Sequence, residues 1–529
     1  MAQDTSTATG SPPPNLGGWL DSTDHKRVGL LYVYAALGFL VIGGVAGFLL
    51  RAELAETGNQ FLGDDYGRTF SLHATVLGVL CLPALWVGIS SHLVPLQIGA
   101  SRVAFPRALA SSFWLYLTGG VLLIGTYAND GLRIAGVTVS APPAAPKGGA
   151  AAANTLWVTA LGMVGVASLI AAVVLVTTVA TLRAPGMRFE RLPLFTWATF
   201  ASGLVVILAT PVLLAGLLVA YLDVHFGSRL FVSDGGPALW QHTVWLFGRP
   251  EAFLLLLPGL GVACEVVATH ARRPLLGFAA ARAALLAFAA LSLLAWASGP
   301  SAVRAIAPPT STVATALAAL PLGVLVLAWL GTLAKGRPRI HSSLLFVAGA
   351  VVLLGFAALN AAIAAVVSVH GTAWSNGFLH AALFSPPLLL AAAALHHWAP
   401  KLWGRQLPGG AAALTALLLT LGSLVHSGAA FLLGYDGQPW HAAEGDGDAF
   451  TNLNRLASLG GALTVLGVIL LIVSVARVAG ASDTDDAADD PDTVSGLTLE
   501  WAAPSPPPPH NFDEVPVVRS AEPLSEVPA

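Results

Sequence analysis

Charge is scarce in this chain. Only 10% of its 529 residues are Asp, Glu, Lys or Arg, while 55% are hydrophobic; soluble domains carry about a quarter charged residues. With a mean hydropathy of +0.74, that scarcity excludes a soluble globule and points to a chain that passes repeatedly through a membrane. Cysteine is scarcer still. Cys81 and Cys264 are the two, both inside apolar runs, which excludes a disulfide framework and suits core packing rather than thiol or metal chemistry. Residues 1–20 are polar and rich in Pro and Gly. The basic-then-apolar layout of a cleavable leader is missing there, so a disordered tail is expected. Nothing suggests a soluble catalytic domain or nucleic-acid binding.

What the chain has is apolar runs of membrane-crossing length. A hydrocarbon core about 30 Å thick takes roughly 20 helical residues at about 1.5 Å each. Such runs lie near 28–50, 70–95, 108–127, 155–181, 195–222, 239–268, 275–298, 308–333, 342–368, 374–398, 410–434 and 453–478. They must be helices, since an open sheet would leave backbone polar groups without partners in lipid and the runs are too long for barrel strands. The expected fold is an all-α integral membrane protein of about twelve transmembrane helices. One membrane domain covers 22–479, between an N-terminal tail (1–21) and an acidic, Pro-rich tail (480–529).

Cations concentrate on alternate connections, at Lys26/Arg27, Arg102/Arg107, Arg183/Arg188/Arg191, Arg272/Arg273, Lys335/Arg337/Arg339, Lys401/Arg405 and Arg477. By the positive-inside rule both termini are expected in the cytoplasm. The opposite loops hold fewer cations and the acidic stretch from Glu444 to Asp448, so the net charge of −3 averages two unlike faces. Ala141 to Ala153 reads as a low-complexity outer loop, and Gly- and Ala-rich spans permit close helix packing. The C-terminal segment, acidic from Asp483 to Asp492 and Pro-rich from Pro504 to Pro509, reads as solvated and extended.

Landmarks recur along the runs. Ser22-Thr23-Asp24-His25-Lys26-Arg27 opens the first; Leu93-Val94-Pro95-Leu96-Gln97-Ile98-Gly99-Ala100 and Ala104-Phe105-Pro106-Arg107 mark the second connection, and Arg183-Ala184-Pro185-Gly186-Met187 the fourth. Trp245-Leu246-Phe247-Gly248-Arg249-Pro250-Glu251-Ala252-Phe253 occupies the sixth run, and His397-Trp398-Ala399-Pro400-Lys401 ends the tenth. The tail holds Thr498-Leu499-Glu500-Trp501 and Pro508-Pro509-His510-Asn511-Phe512-Asp513-Glu514. In these features, spread over roughly 22–520, the chain resembles subunit I of the haem-copper respiratory oxidases (cytochrome c oxidase), in which the sixth-run motif reads W-F-F-G-H-P-E-V-Y. The resemblance implies helices in pseudo-threefold arcs within a bacterial-type plasma membrane, surrounded by lipid. It also implies a place in respiratory electron transport beside other oxidase subunits, with cytochrome c or a copper-bearing subunit II-like protein as the usual partner.

Two histidines are brought forward by depth alone. The runs bearing His73 and His380 both enter from the outer face, and each histidine lies a turn or two below that entry, so the imidazoles can share one level. Two neutral imidazoles facing each other across a bundle suit six-coordinate, low-spin haem iron. Taken singly, each reads equally well as a hydrogen-bonded core residue. As a pair they stand where the family keeps its low-spin haem ligands, and the resemblance implies ligation. It likewise matches Arg51 to an arginine that hydrogen-bonds the formyl group of haem a, the alternative being an interfacial arginine snorkelling to water. His370 stands at the position of a magnesium ligand beside the haem propionates, but the neighbouring aspartate is Gly371 here, which puts magnesium in doubt. The paired propionate-binding arginines read as Trp440 and His441.

The second metal centre of the family is matched by residues that cannot serve it. Copper there takes three imidazoles; this chain offers Arg249, then Ser298 and Gly299 in Trp296-Ala297-Ser298-Gly299. A guanidinium has no lone pair to give, and serine and glycine do not replace imidazole donors for copper. The family's tyrosine four positions on is Phe253. Positions two apart on a helix point about 200° apart, and the family uses two such histidines to hold two haems. Here the pair is Phe378 and His380, with Trp374, Phe378 and Phe253 expected to fill the vacated space and His396 and His397 too far along the run to substitute. One low-spin haem, a or b, is therefore expected, without copper or a second haem.

Proton routes thin out in the same way. Arg102 stands at one channel's entry aspartate, Ser91, Leu109 and Ala110 at its asparagines, and Leu325 at the other channel's lysine. Glu251 remains, with nothing to feed it and structural pairing as its simplest role. A buried Arg249 needs a partner; Trp245, one turn earlier, offers a ring face. The reading that follows is a non-pumping, non-reducing subunit acting in electron transfer or assembly. The alternatives are a membrane scaffold or regulatory paralogue with a structural haem, and an active oxidase reducing dioxygen to water with other ligands.

Overall fold

The computed structural model describes residues 16–56, 58, 61–127, 149–231, 235–295, 317–369, 371–440, 442, 448–481, 496–514 and 517–526. Among them the chain is helical, with a lone antiparallel bridge between Thr372 and Pro439 in place of any strand. The main helices are α1 (His25–Leu54), α2 (Gly63–Gln97), α3 (Pro106–Tyr127), α4 (Gly149–Thr181), α5 (Leu194–His225), α6 (Gly236–Leu254), α7 (Leu257–Ala271), α8 (Phe278–Leu294), α9 (Ala319–Lys335), α10 (Ser342–Ala364), α11 (Trp374–His397), α12 (Gly409–Tyr435) and α13 (Asp448–Ala479). Nine of these are long and apolar enough to cross a membrane. The sixth expected run is broken into α6 and α7, and α7, α8 and α9 are shorter apolar helices. Length alone therefore supports nine crossings among the described residues, and α6–α7, α8 and α9 stand at the other three expected runs.

Helix starts follow local chemistry. Asp24 caps α1 by accepting from the Lys26 amide at 3.0 Å, satisfying one of the four orphan donors of the first turn. Glycine sets the tightest crossings. A methyl on Gly29 of α1 would meet the Gly88 carbonyl oxygen of α2 at 2.6 Å, and one on Gly88 would meet Gly29 at the same distance. Gly422 of α12 and Gly460 of α13 block each other likewise at 2.7 Å. With no hydrophobic drive between helices in lipid, such close backbone approach supplies the packing energy.

Two helices are interrupted by wide π turns, Val76–Cys81 in α2 and Leu379–Phe384 in α11. Pro83 follows the first, Pro386 and Pro387 the second. A proline ring removes one N–H donor and crowds the preceding turn, and a wide turn lets the ladder rearrange around it.

The C-terminal segment differs from the solvated, extended tail expected. Leu499, Glu500, Asn511 and Val518 are buried, and the tail straps across one end of the bundle. Lys26 Nζ donates to the Pro509 carbonyl at 3.0 Å and to Asn511 Oδ1 at 3.1 Å. Asn511 Nδ2 donates to Ala100 O at 2.8 Å, Arg191 to Val518 O at 3.1 Å, and Gln97 Nε2 to Glu500 Oε1 at 3.1 Å. The tail adds hydrogen-bond partners to groups at this end of the helices, which overrides its polar composition. The acidic stretch from Asp483 to Asp492, and most of the outer segments around Ala141 and Glu444, lie outside the described residues. Residues 16–20 of the N-terminal tail form one helical turn, whose Trp19 ring lies beneath Arg27 at 5.9 Å.

Candidate functional site

The last turns of α1 and the beginnings of α2 and α11 meet near one end of the bundle, and α12 and α13 close the space between them. The result is a cavity of about 770 Å³ lined by His73, His380, Arg51, Tyr66, Phe384 and Trp440, among others. Pockets that enclose sizeable organic ligands span about 300–1,000 Å³ and are largely apolar with a few placed polar groups.

His73 and His380 face each other here with ring centroids 6.0 Å apart and planes 27° from parallel. Metal–imidazole bonds run about 2 Å, so two rings on one ion stand with centroids roughly 6 Å apart. His73 Nδ1 donates to the Gly43 carbonyl at 2.8 Å. A carbonyl only accepts, so Nδ1 carries the proton and Nε2 keeps its lone pair, the state a haem ligand requires. Gly47 makes that pose possible, for a methyl there would stand 2.6 Å from His73 Cε1 and 2.7 Å from Nδ1. The spacing, the tautomer and the cradle fit a haem held between two imidazoles. Both histidines sit at the wide turns: His380 within one, His73 three residues before the other.

Arg51 also reaches the cavity. Its Nη2 donates to Asn454 O at 2.9 Å and Oδ1 at 3.0 Å, and its own carbonyl accepts from Ser458 Oγ at 2.8 Å. Nε is buried with no protein acceptor, so one donor is left for a ligand. Asn454 Nδ2 in turn donates to Gln438 Oε1 at 3.1 Å, tying α13 to the loop after α12.

The remaining predicted positions divide. Phe378 leaves α11 on the side away from the cavity and packs against an apolar cluster of Trp374, Phe431, Ala357 and Val369, while Trp374 meets Phe431 at 4.8 Å. Phe253 packs on Phe288 of α8 at 5.1 Å. His396 and His397 stand at the far end of α11, where His396 Nδ1 donates to Ala392 O at 2.7 Å. Leu325 and Leu109 are fully buried, and Arg102 is exposed. Arg249 and Glu251 lie in α6, but their side chains are outside the described residues, as are Trp296, Ser298, Gly299, His370 and His441.

Sequence reasoning missed His426. It lies on α12, lines the cavity and stands edge-to-face with His380, centroids 4.5 Å apart at 68°. A histidine in the Ala/Leu/Gly-rich run 410–434 was the available signal, since an ionisable residue inside a span is a functional candidate by default.

The family model for cytochrome c and quinol oxidase polypeptide I matches residues 27–463. A probable cytochrome c oxidase subunit 1-beta of Nocardia farcinica is 34% identical over 514 residues, covering 96% of this chain and 87% of that protein. Cytochrome c oxidase subunit 1 of Corynebacterium efficiens is 32% identical over 520 residues, covering 96% and 89%. A solved heme-copper terminal oxidase dimer shares the fold, with a TM-score of 0.72 over 88% of this chain and 86% of that one, at 18% identity. On this evidence the chain is an integral membrane protein with a subunit I-like helical bundle, and it belongs to the cytochrome c and quinol oxidase polypeptide I family.

Proposed function

We propose that this chain is an oxidase subunit I homologue that binds one low-spin haem between His73 and His380 and passes electrons through it, without reducing dioxygen or pumping protons. The observation that carries the reading is the 6.0 Å facing pair across a cavity of about 770 Å³. Haem supplies one-electron chemistry when bound. The chain's own groups hold it: His73 is oriented by Gly43, Arg51 offers its unpaired Nε, and Gly47 leaves room. With His73 and His380 both holding the iron, no position would be left for dioxygen.

The cavity also bears on haem type. Its wall continues along α13 from Ser458 to Ile472 and along α1 to Leu40, a run of some 20 Å at about 1.5 Å per residue. That apolar gutter is longer than a porphyrin needs and suits a haem with an apolar tail. Support for the loss of dioxygen chemistry is in residue types: Arg249, Ser298 and Gly299 for imidazole ligands, Phe253 for a tyrosine, and Phe378 for a proximal histidine. Magnesium is left out of the reading because Gly371 has no carboxylate. The proposed setting is a bacterial-type plasma membrane with both termini cytoplasmic. A subunit II-like protein is the proposed neighbour, and cytochrome c the proposed donor.

A reduced-minus-oxidised spectrum of the purified protein, with haem counted per chain and carbon monoxide added to the reduced form, tests this. One haem per chain and no carbon monoxide response is expected. Two haems with a carbon monoxide shift would overturn the reading and favour an active oxidase; one haem that no donor reduces would favour a scaffold.

A further inference from the structure

The two facing imidazoles are not held alike. His73 donates to the Gly43 carbonyl, whereas the His380 ring makes ring contacts with His73, with Phe384 at 5.8 Å and with His426 at 4.5 Å. A metal-bound imidazole almost always donates its other N–H to an acceptor that fixes the ring and raises its basicity. His426, whose ring touches that of His380, is able to accept.

His426 is prepared for that role. Its Nδ1 lies 3.1 Å from the Ala457 carbonyl, an acceptor only, so Nδ1 carries the proton and Nε2 is a bare acceptor. The backbone beneath is fixed as well. A methyl on Gly460 would stand 2.3 Å from the His426 amide nitrogen, so α13 sits directly on this residue. Ser423, one turn earlier on α12, donates to Ser385 of α11 at 2.8 Å, setting the register between the helices that carry His426 and His380.

We infer that His426 is a positioning residue for His380, its Nε2 accepting the Nδ1–H that His380 keeps when its other nitrogen binds haem iron. In the structure the two rings meet edge to face with centroids 4.5 Å apart, and the hydrogen bond requires the His380 ring to turn so that its Nδ1–H points at His426. The arrangement then runs from His380 through His426 to the Ala457 carbonyl, from α11 across α12 to α13. An imidazole is a stronger acceptor than the carbonyl serving His73. It gives His380 more anionic character, which favours ferric over ferrous iron, second-shell hydrogen bonding being one of the levers on haem potential. This inference rests on the bis-histidine reading above.

The test uses full-length protein, as wild type, His426→Phe, His426→Gln and His380→Ala, with three readouts: haem per chain, the low-spin ferric electron paramagnetic resonance signal, and the midpoint potential. His426→Phe is expected to keep its haem and shift the ferrous/ferric balance about tenfold towards ferrous, a rise of about 59 mV for one electron. His426→Gln, whose amide oxygen still accepts, is expected near wild type. Should the phenylalanine variant lose its haem, the glutamine variant decides: a wild-type signal and potential supports the inference, and a lost signal overturns it. Wild-type potential and signal in His426→Phe would also overturn it. So would a bis-histidine signal persisting in His380→Ala, because His426 would then be the ligand itself. Wild-type protein without haem is the separate outcome in which the underlying reading fails and takes this inference with it.

Discussion

Gly47 shows how much of a site can depend on an atom that is missing. Substituting alanine places a methyl 2.6 Å from His73 Cε1, well inside van der Waals contact, so the imidazole must swing away from Gly43 and lose a hydrogen bond worth about 1 kcal/mol. Gly47→Ala is expected to keep its yield while its haem per chain falls severalfold. Gly38→Ala on the same helix is the control, since nothing lies within 4 Å of a methyl there. Haem assay against protein concentration checks both. His73 and His380 were legible in the sequence because polar residues inside apolar runs stand out and because the depth of each follows from counting residues. Gly47 was not, being one of 55 glycines whose importance depends on how α1 is rotated against α2. His426 stood out as much as His73 did, but nothing in one sequence says which face of its helix meets His380.

At the scale of elements, the apolar runs located most helices, while the interruptions were read as continuous helix. Pro83, Pro386 and Pro387 were the visible signals, yet proline inside a membrane span is tolerated in several ways, and only the packed structure shows wide turns at the histidines. The break between α6 and α7 was hidden because Leu254 to Leu257 is uniformly apolar and hydropathy does not register a backbone break. The α12–α13 crossing carries a sharper expectation. A methyl at Gly460 would meet the His426 amide nitrogen at 2.3 Å and its Cα at 2.8 Å, contacts that backbone cannot relieve by changing a rotamer. The helices must separate, at a cost of about 1–3 kcal/mol. Gly460→Ala is expected to lower the thermal unfolding midpoint in detergent and to release haem at a lower temperature than wild type. A haem-release temperature equal to wild type would show that this crossing does not hold the cavity closed.

For the whole molecule, the docked tail closes one end of the bundle and makes its attachment sensitive to pH. Glu500 is fully buried, and burial raises its carboxyl above the ordinary value of 4.5. One oxygen accepts from Gln97, Trp398 and Thr498, and the other has no partner. Burial raises Glu522 in the same direction and pushes Lys401 down to about 8; Lys401 donates to Ala503 O at 2.6 Å. A group that holds its proton more tightly when docked than when free stabilises docking fully below its free value and loses that contribution as pH rises towards its docked value. The contribution of Glu500 and Glu522 to docking is therefore expected to be complete below about pH 4.5 and to decline as pH rises above it. Lys401 acts in the opposite sense, and only above about pH 8. Hydrogen exchange of residues 496–514, corrected for the intrinsic pH dependence of exchange, measures this. Wild-type protection is expected to fall as pH rises above about 4.5, whereas Glu500→Gln, neutral throughout and still able to accept, is expected to flatten most of that slope. A glutamine variant that keeps the full slope would locate the sensitivity in Glu522 and leave Glu500 a hydrogen-bonding anchor alone.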